Sequence, residues 1–556
     1  MNLTKYANKI IFGIFVIMAF IGASIFHDYN VSADEVIERF HSQVMLSKVM
    51  ETFGMKVKRD KMFQTIIDEN PAFPQPWSDI RNKPKYFEYL SDINKFPHKY
   101  YGTAIHIIPA IYEYVFIDYL SSKQIYLFRH LYTFLIYFIS LICFYFICLH
   151  IFKSKFLSIL GVIMIFLYPR FFAESFYNNK DIMFSSLLLI AFFSSTKFLA
   201  FKSNKYAILT GFLIALASNT RFFALFLLAC LFVIMLLEFW KKRLDENFLP
   251  YIVLLVSFVI SFYILTPASW SNLFLFICEY VNKFYGYDDW NNRVLFMGEL
   301  ILKTDLPRYY FIVWLIISLP IIYIILFAFG VRLSIKSLEN IHSKKFTEIV
   351  NLVLENKIMV LVFVIFFAPF TATIIQKGLL YHAWRHLYFT FPFFVIIAVF
   401  GISYFNGKLS KTVVILLIAI SLVLQTSWII KNHPYQALYL NSLGRTYGSK
   451  FCKDMWGLSD LLMLEYMLHA FPQEEIFQVA ANLTPLYTIM LDEKDQKKIN
   501  HNFQNPEFFV FNYGTVNTNN ISLENSGWRE IASISIDGYK INALLQRVDK
   551  KEMPDE

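Results

Sequence analysis

Cysteine is scarce in this chain, and its spacing builds nothing. Of the five cysteines, Cys143, Cys148 and Cys230 sit inside apolar runs while Cys278 and Cys452 stand alone, so neither zinc-ligand spacing nor a disulfide framework is present. Thiol redox chemistry is thereby set aside. A Gly-rich phosphate cradle of the P-loop type is also missing, which argues against a nucleotide-driven pump. The net charge of +9 comes without a basic stripe interleaved with aromatics. Nucleic acid is therefore not expected as a partner, and the scattered Lys and Arg are read as topology signals. No internal repeat appears, and the only biased segment is the charged end Asp549 to Glu556.

What is abundant fixes the class. Hydrophobic residues make up 56% of the 556 positions, with 61 Phe and 34 Tyr, more than a soluble domain tolerates. A bilayer-crossing helix needs roughly 20 mostly apolar residues. Such segments recur at 10–26, 129–152, 156–169, 182–200, 206–220, 222–239, 248–266, 309–329, 357–376, 387–405 and 412–430. The expectation is a polytopic α-helical membrane protein of about eleven helices over residues 1–430, followed by a small soluble α/β domain over 431–556. In that tail the helical stretch is Trp456 to Ala470, and the strand-like runs are Ile476 to Ala480, Phe508 to Tyr513 and Ile531 to Leu545. Asp537-Gly538 breaks the last run as a hairpin turn does.

The first apolar run lacks a small-residue cleavage site, since Ala23 and Ser24 lead into Phe26 and His27, and so reads as an uncleaved helix with a cytoplasmic N-terminus. Alternating sides from there places the basic turns at Lys153 and Lys155, at Lys197, Lys202 and Lys205, at Lys241 to Arg243, at Arg332 to Lys345, and at Lys408 and Lys411 in the cytoplasm. This holds only if 102–120, with Glu113 and Asp118, lies along the interface instead of crossing. The long loop 27–128, the loops 168–181, 267–308 and 376–386, and the tail then face outward from a cytoplasmic or inner membrane.

Nearly every polar residue able to do chemistry falls on that outer side. Ser32-Ala33-Asp34-Glu35 has the form of a capping box, which gives Glu35 a structural reason to exist, and Asp34 suits the positive end of the helix dipole. Asp34, Glu38 and His41 share a helix face, with Arg39 beside Glu38, as an ordinary solvated face also would. The segment from Tyr168 to Asp181 holds Arg170, Glu174, Lys180 and Asp181 between two apolar helices, where charge is costly and marks function unless it forms a neutralised network. The loop 376–386 carries Lys377, His382, Arg385 and His386; an anion clamp fits it better than a metal site. His98 and Lys99 are placed to meet a lipid phosphate or to snorkel at headgroup level.

The acidic pair Asp34-Glu35 in the first outer loop, Pro-Arg-Phe-Phe followed by Asn-Asn-Lys-Asp across 169–181, and Asn219-Thr-Arg221 resemble the bacterial GT-C membrane glycosyltransferases. Within them the chain is most similar to the protein-mannosyltransferase-like group, glycosyltransferase family 39, which includes the aminoarabinose transferases. The likeness covers roughly the first two thirds of the chain, and His433-Pro-Tyr-Gln436 with Asp454-Met-Trp-Gly457 resembles a subset of the same proteins. It implies a polyprenyl-phosphate-linked sugar donor, transfer on the outer face with inversion, Asp34 as catalytic base and Asp181 as the second acidic residue. The acceptor class, whether glycan, lipid or protein, stays open. The acidic-Lys-Pro-Pro run of the aminoarabinose group is absent, so Lys99, Lys180 and Arg385 compete for the donor phosphate.

On this reading Asp34 and Asp181 are the catalytic candidates. Glu35, Arg39, His98, Lys99, Arg170, Lys180, His382, Arg385 and His386 bind substrate, and Asp181 orients the acceptor or holds a divalent Mg or Mn ion. The tail places the acceptor or covers the site. The alternative is a secondary transporter or flippase of lipid-linked glycans, against which stand the missing repeat and the clustering of charge on one side. A glycan ligase or polymerase is a further alternative.

Overall fold

A computed structural model of the chain describes residues 3–69, 83–241, 248–285, 293–337, 345–375, 380–405, 407–482, 488–516 and 527–548. Lys377, Lys242, Arg243, Lys344 and the charged end 549–556 lie outside the described residues.

The protein is a polytopic helical membrane protein with a small sheet at its C-terminal end. Each expected apolar segment falls on helix. Among the described residues six helices are long and apolar enough to cross a bilayer, and two bent pairs bring the total to eight. The helix Ser122–Phe152, at 31 residues, spans about 46 Å and so exceeds a hydrocarbon core of about 30 Å. Ala224–Trp240 and Leu249–Leu265, 17 residues each, reach only about 25 Å.

Two of the expected spans are broken. Lys155–Phe166 turns by 67° into Pro169–Tyr177, where Pro169 opens the second helix at a position that needs no amide hydrogen. The run at 309–329 bends by 120° between Tyr310–Ser318 and Ile321–Ser337. Pro320 explains it, because it pushes Leu319 into an extended conformation, φ −85° and ψ 145°, and removes a helix donor. Segment 102–120 contains a helix of 10 residues, Ile107–Phe116, about 15 Å long, too short to cross. Its Ile108, Ile111 and Val115 are exposed while Pro109, Ala110 and Glu113 are buried, the pattern of a helix lying flat at an interface.

The long connections carry more regular structure than hydropathy reveals. Ala33–Thr52 is a helix of 20 residues whose polar side chains Glu38, Arg39, His41 and Gln43 are almost fully buried. A short hairpin of β1 (Arg293–Phe296) and β2 (Glu299–Leu302) occupies the loop 267–308.

In the tail the helix Asp460–Ala470 lays Met463, Leu464 and Met467 on a five-stranded mixed sheet. Its strands are β3 (Phe477–Ala481), β4 (Ile499–His501), β5 (Phe508–Asn512), β6 (Trp528–Ile536) and β7 (Tyr539–Arg547), in the order β4-β3-β5-β7-β6. β3 pairs in parallel with β4 and β5, and β7 is antiparallel to β5 and β6. Asp537 and Gly538, both at positive φ, turn β6 into β7. The hairpin tip is gripped by the bundle: Trp428 Nε1 donates to the Asp537 carboxylate at 3.1 Å and Arg445 Nε lies 3.0 Å from it.

Candidate active site

Three connections distant in sequence converge on one guanidinium. Asp34 stands in the first turn of Ala33–Thr52, started by the capping box in which the Ser32 amide donates to Glu35 Oε2 at 2.8 Å. Asp181 stands in the first turn of Asp181–Phe201, where the Asn178 side-chain oxygen accepts from its amide at 2.8 Å. Both carboxylates therefore sit at the positive end of a helix dipole. Arg385, in the 3-10 turn Arg385–Thr390, donates through Nη1 to Asp34 Oδ2 at 2.9 Å and to Asp181 Oδ2 at 3.0 Å. Its guanidinium carbon lies over the rings of Trp456, at 4.8 Å, and Tyr381, at 5.3 Å.

Asp181 is held from every side. Arg221 Nη2 engages its other oxygen, and Asn178 Nδ2 reaches Oδ2 at 3.4 Å while donating to Glu174 Oε2 at 2.6 Å. Glu174 in turn accepts from the Tyr388 hydroxyl at 2.7 Å. Arg221 is positioned by Asn219, whose side chain accepts from the Ala104 amide at 2.9 Å and donates to Leu265 O and Thr266 Oγ1 at 3.0 Å each. Asp34, by contrast, has its Oδ1 without a hydrogen bond among the described residues, and its side chain is 19% exposed against 1% for Asp181.

A second cluster adjoins the first through Lys180. Its Nζ is 3.0 Å from Glu38 Oε1 and 4.4 Å from the Tyr101 ring. His41 Nδ1 is 3.8 Å from Glu38, and its ring stacks with His98 and Tyr101. Burial alone raises the Glu38 carboxyl, but Lys180, His41 and His106 outweigh it and hold it well below the usual range. Burial, aided by Arg129 and opposed by Glu38, pushes His106 down to about 4. Burial and then Arg385 push His382 down to about 3.

Of the residues singled out from the sequence, Asp34, Asp181 and Arg385 meet directly, and Lys180 and His98 share the adjoining cluster. The others bond to different partners. Arg39 donates to Glu113 at 2.6 and 2.9 Å inside a closed buried network with Arg129 and Gln43. Burial raises Glu113, and the two arginines outweigh it and hold it low. Glu35 pairs with His130 at 3.0 Å besides capping its helix. Lys99 pairs with Glu279 at 3.0 Å on the helix Leu273–Tyr285. Arg170 donates to Tyr439 O at 3.0 Å and, with Glu174 and His382, lines a cavity of about 20 Å³ closed by Lys453 and Trp456 of the tail, room for about one water. His386 packs on Tyr381.

Arg221 was visible in the sequence as part of the Asn219-Thr-Arg221 motif, yet nothing in that motif says which carboxylate it meets. Glu174 and Asn178 join the site through bonds within their own connection, and Tyr388 joins it through a bond that crosses from another. Trp456 stood in the Asp454-Met-Trp-Gly457 motif, yet nothing in that motif says that its ring meets Arg385.

The donor set around Asp181 does not fit a divalent ion. Both of its oxygens are engaged by guanidinium or amide donors, and among the described residues no three His, Cys, Asp or Glu side chains converge as ligands.

Residues 121–266, which include Asp181 and Arg221, match the family of dolichyl-phosphate-mannose-protein mannosyltransferases. The family resemblance drawn from the motifs stands over that stretch. No curated protein matches the chain in sequence. Among solved structures it is similar to ArnT from Cupriavidus metallidurans in the apo state, at 11% identity over 98% of each chain and a TM-score of 0.44. The same enzyme bound to undecaprenyl phosphate gives 11% identity over 98% of this chain and 99% of that one, with a TM-score of 0.41.

Proposed function

We propose that this protein is a membrane glycosyltransferase that moves a sugar from a polyprenyl-phosphate donor to an acceptor hydroxyl on the outer face of the cytoplasmic membrane, with inversion. The family match over 121–266 supports the transferase class. The observation that carries the site is the single guanidinium of Arg385 joining Asp34 to Asp181.

In this reading Asp34 is the base. Its Oδ2 is fixed by Arg385 and its Oδ1 faces an acceptor hydroxyl, so the proton passes to Asp34 as the acceptor oxygen bonds to the anomeric carbon. The bond from that carbon to the phosphate oxygen breaks, and the leaving phosphate takes up the electron pair. One displacement inverts the anomeric centre. Arg385, Arg221 and Lys180 supply the positive charge that a departing lipid phosphate requires, and Asp181 orients the two arginines. No step runs through a metal. The first outer loop and the tail, 27–128 and 431–556, cover the site from outside, with the N-terminus in the cytoplasm.

The test is incubation of the purified protein with polyprenyl-phosphate sugars and envelope acceptors, read by mass spectrometry. Transfer that disappears in Asp34→Asn supports the reading. An intact glycosidic bond throughout, with lipid-linked sugar moved across vesicles, replaces it with a flippase.

A further inference from the structure

The guanidinium at the centre of the site is oddly supported. Arg385 is buried and bridges two carboxylates through one nitrogen, Nη1, while its Nε has no hydrogen-bond partner among the described residues. Those two bonds hold the Nη1 end of the guanidinium, and no hydrogen bond holds its Nε edge. What packs on the group besides them is aromatic, Tyr381 at 5.3 Å from its own connection and Trp456 at 4.8 Å from the tail.

Trp456 is itself anchored. It is 4% exposed and packs edge-on against Tyr177 at 6.3 Å. The loop that carries it is closed by Asp454, whose carboxylate accepts from the Leu458 amide at 3.1 Å and the Ser459 amide at 2.8 Å. Gly457 supplies the positive φ, 71°, that lets the chain turn there. Asn30, just ahead of Asp34, donates to Gly457 O at 3.4 Å, so the loop is tied to the same connection that bears the base.

We propose that Trp456 is a positioning residue of the transferase centre: the tail inserts its indole face against the Arg385 guanidinium and holds it at the place where it serves Asp34 and Asp181 together. The tail is then a structural part of the active site and not only a cover or an acceptor dock. This inference rests on the proposed transferase reading for its kinetic consequence and on geometry alone for the contact.

Two experiments separate these layers. In the transfer assay Trp456→Leu is expected to lower kcat by about tenfold with the donor KM little changed, and Trp456→Phe, which keeps an aromatic face, to recover most of the loss. In an Arg385→Lys background, where the planar fork is gone, Trp456→Leu is expected to add less than about twofold. Equal losses in both backgrounds, or a loss confined to KM, would overturn the positioning role. The second experiment needs no turnover. In the full-length protein labelled with 5-fluorotryptophan, the fluorine resonance that vanishes in Trp456→Phe is expected to shift in Arg385→Gln. A resonance that stays in place shows that the two groups are not in contact, whatever the protein catalyses.

Discussion

Gly102 backs directly onto Asn219: a methyl group in place of its hydrogen would overlap the Asn219 carbonyl and side chain. Asn219 ties the start of the 104–116 stretch to the end of the helix Leu249–Leu265, and it immediately precedes the strand-like turn that aims Arg221 at Asp181. Gly102→Ala is therefore expected to displace Arg221 without touching it. Transfer should fall by about tenfold or more while membrane insertion persists, as measured by turnover beside a size-exclusion profile in detergent. Wild-type turnover would show that Asn219 yields freely.

Arg221→Gln should act on the transition state more than on binding. It removes one of the charges placed to meet the leaving phosphate, so kcat is expected to drop by about a hundredfold, with a smaller change in donor KM. Steady-state kinetics at varied donor concentration checks this. Arg221→Lys is expected to recover only part of the loss, because a point charge replaces a fork.

Glu113→Gln should damage stability and leave chemistry alone. Arg39 and Arg129 would both lose the buried carboxylate they share, at a cost of about 3 kcal/mol or more. The readout is a lower melting temperature in detergent. Donor KM in the surviving folded fraction should stay as it was, since Glu113 bonds to Arg39, Arg129 and Gln43 and not to Asp34 or Arg385.

Acidification should loosen the packing around Glu38 and His106 in two stages. His106 is held at about 4 in the folded protein against about 6.5 when unfolded, so the unfolded chain takes up its proton first and stability falls from about pH 6.5 to 4. Glu38 is depressed below its unfolded value, so its contribution is complete above about pH 4.3 and is lost as pH drops further. Apparent melting temperature against pH checks the order. His106→Gln is expected to make the upper limb shallower, His382 keeping part of it, and to weaken the lower one, since His106 helps hold Glu38 down.

Chelation is expected to leave turnover unchanged, because the oxygens of Asp181 are spent on Arg221, Arg385 and Asn178. Abolition of transfer by EDTA, restored by Mg or Mn, would mean that a cation displaces one of these donors when substrate binds.

Hydropathy made the bundle legible, since the apolar runs from 10 to 430 each fold as helix. It missed the break at Pro320, where the run of apolar side chains continues although the backbone cannot. Charges at the membrane rim drew attention to Asp34, Asp181 and Arg385, because such groups are too costly to be placed idly. Their pairing was not legible. Helical spacing put Arg39 one residue round from Glu38, on the helix that bears Asp34, but the choice of Glu113 as its partner depends on how the interfacial helix Ile107–Phe116 folds back. The same limit hid His130 behind Glu35 and Glu279 behind Lys99. In the tail, alternation and Asp537-Gly538 announced the final hairpin, whereas β4, only three residues long, left no pattern to read.

The convergence on Arg385 also bears on how the protein is made. Asp34 precedes Arg385 by 351 residues and Trp456 follows later still, so during synthesis the early acid waits for groups the ribosome has yet to deliver. A translation product that stops short of Arg385 consequently lacks the guanidinium joining Asp34 to Asp181, and the cluster is assembled as a late, single event in biogenesis.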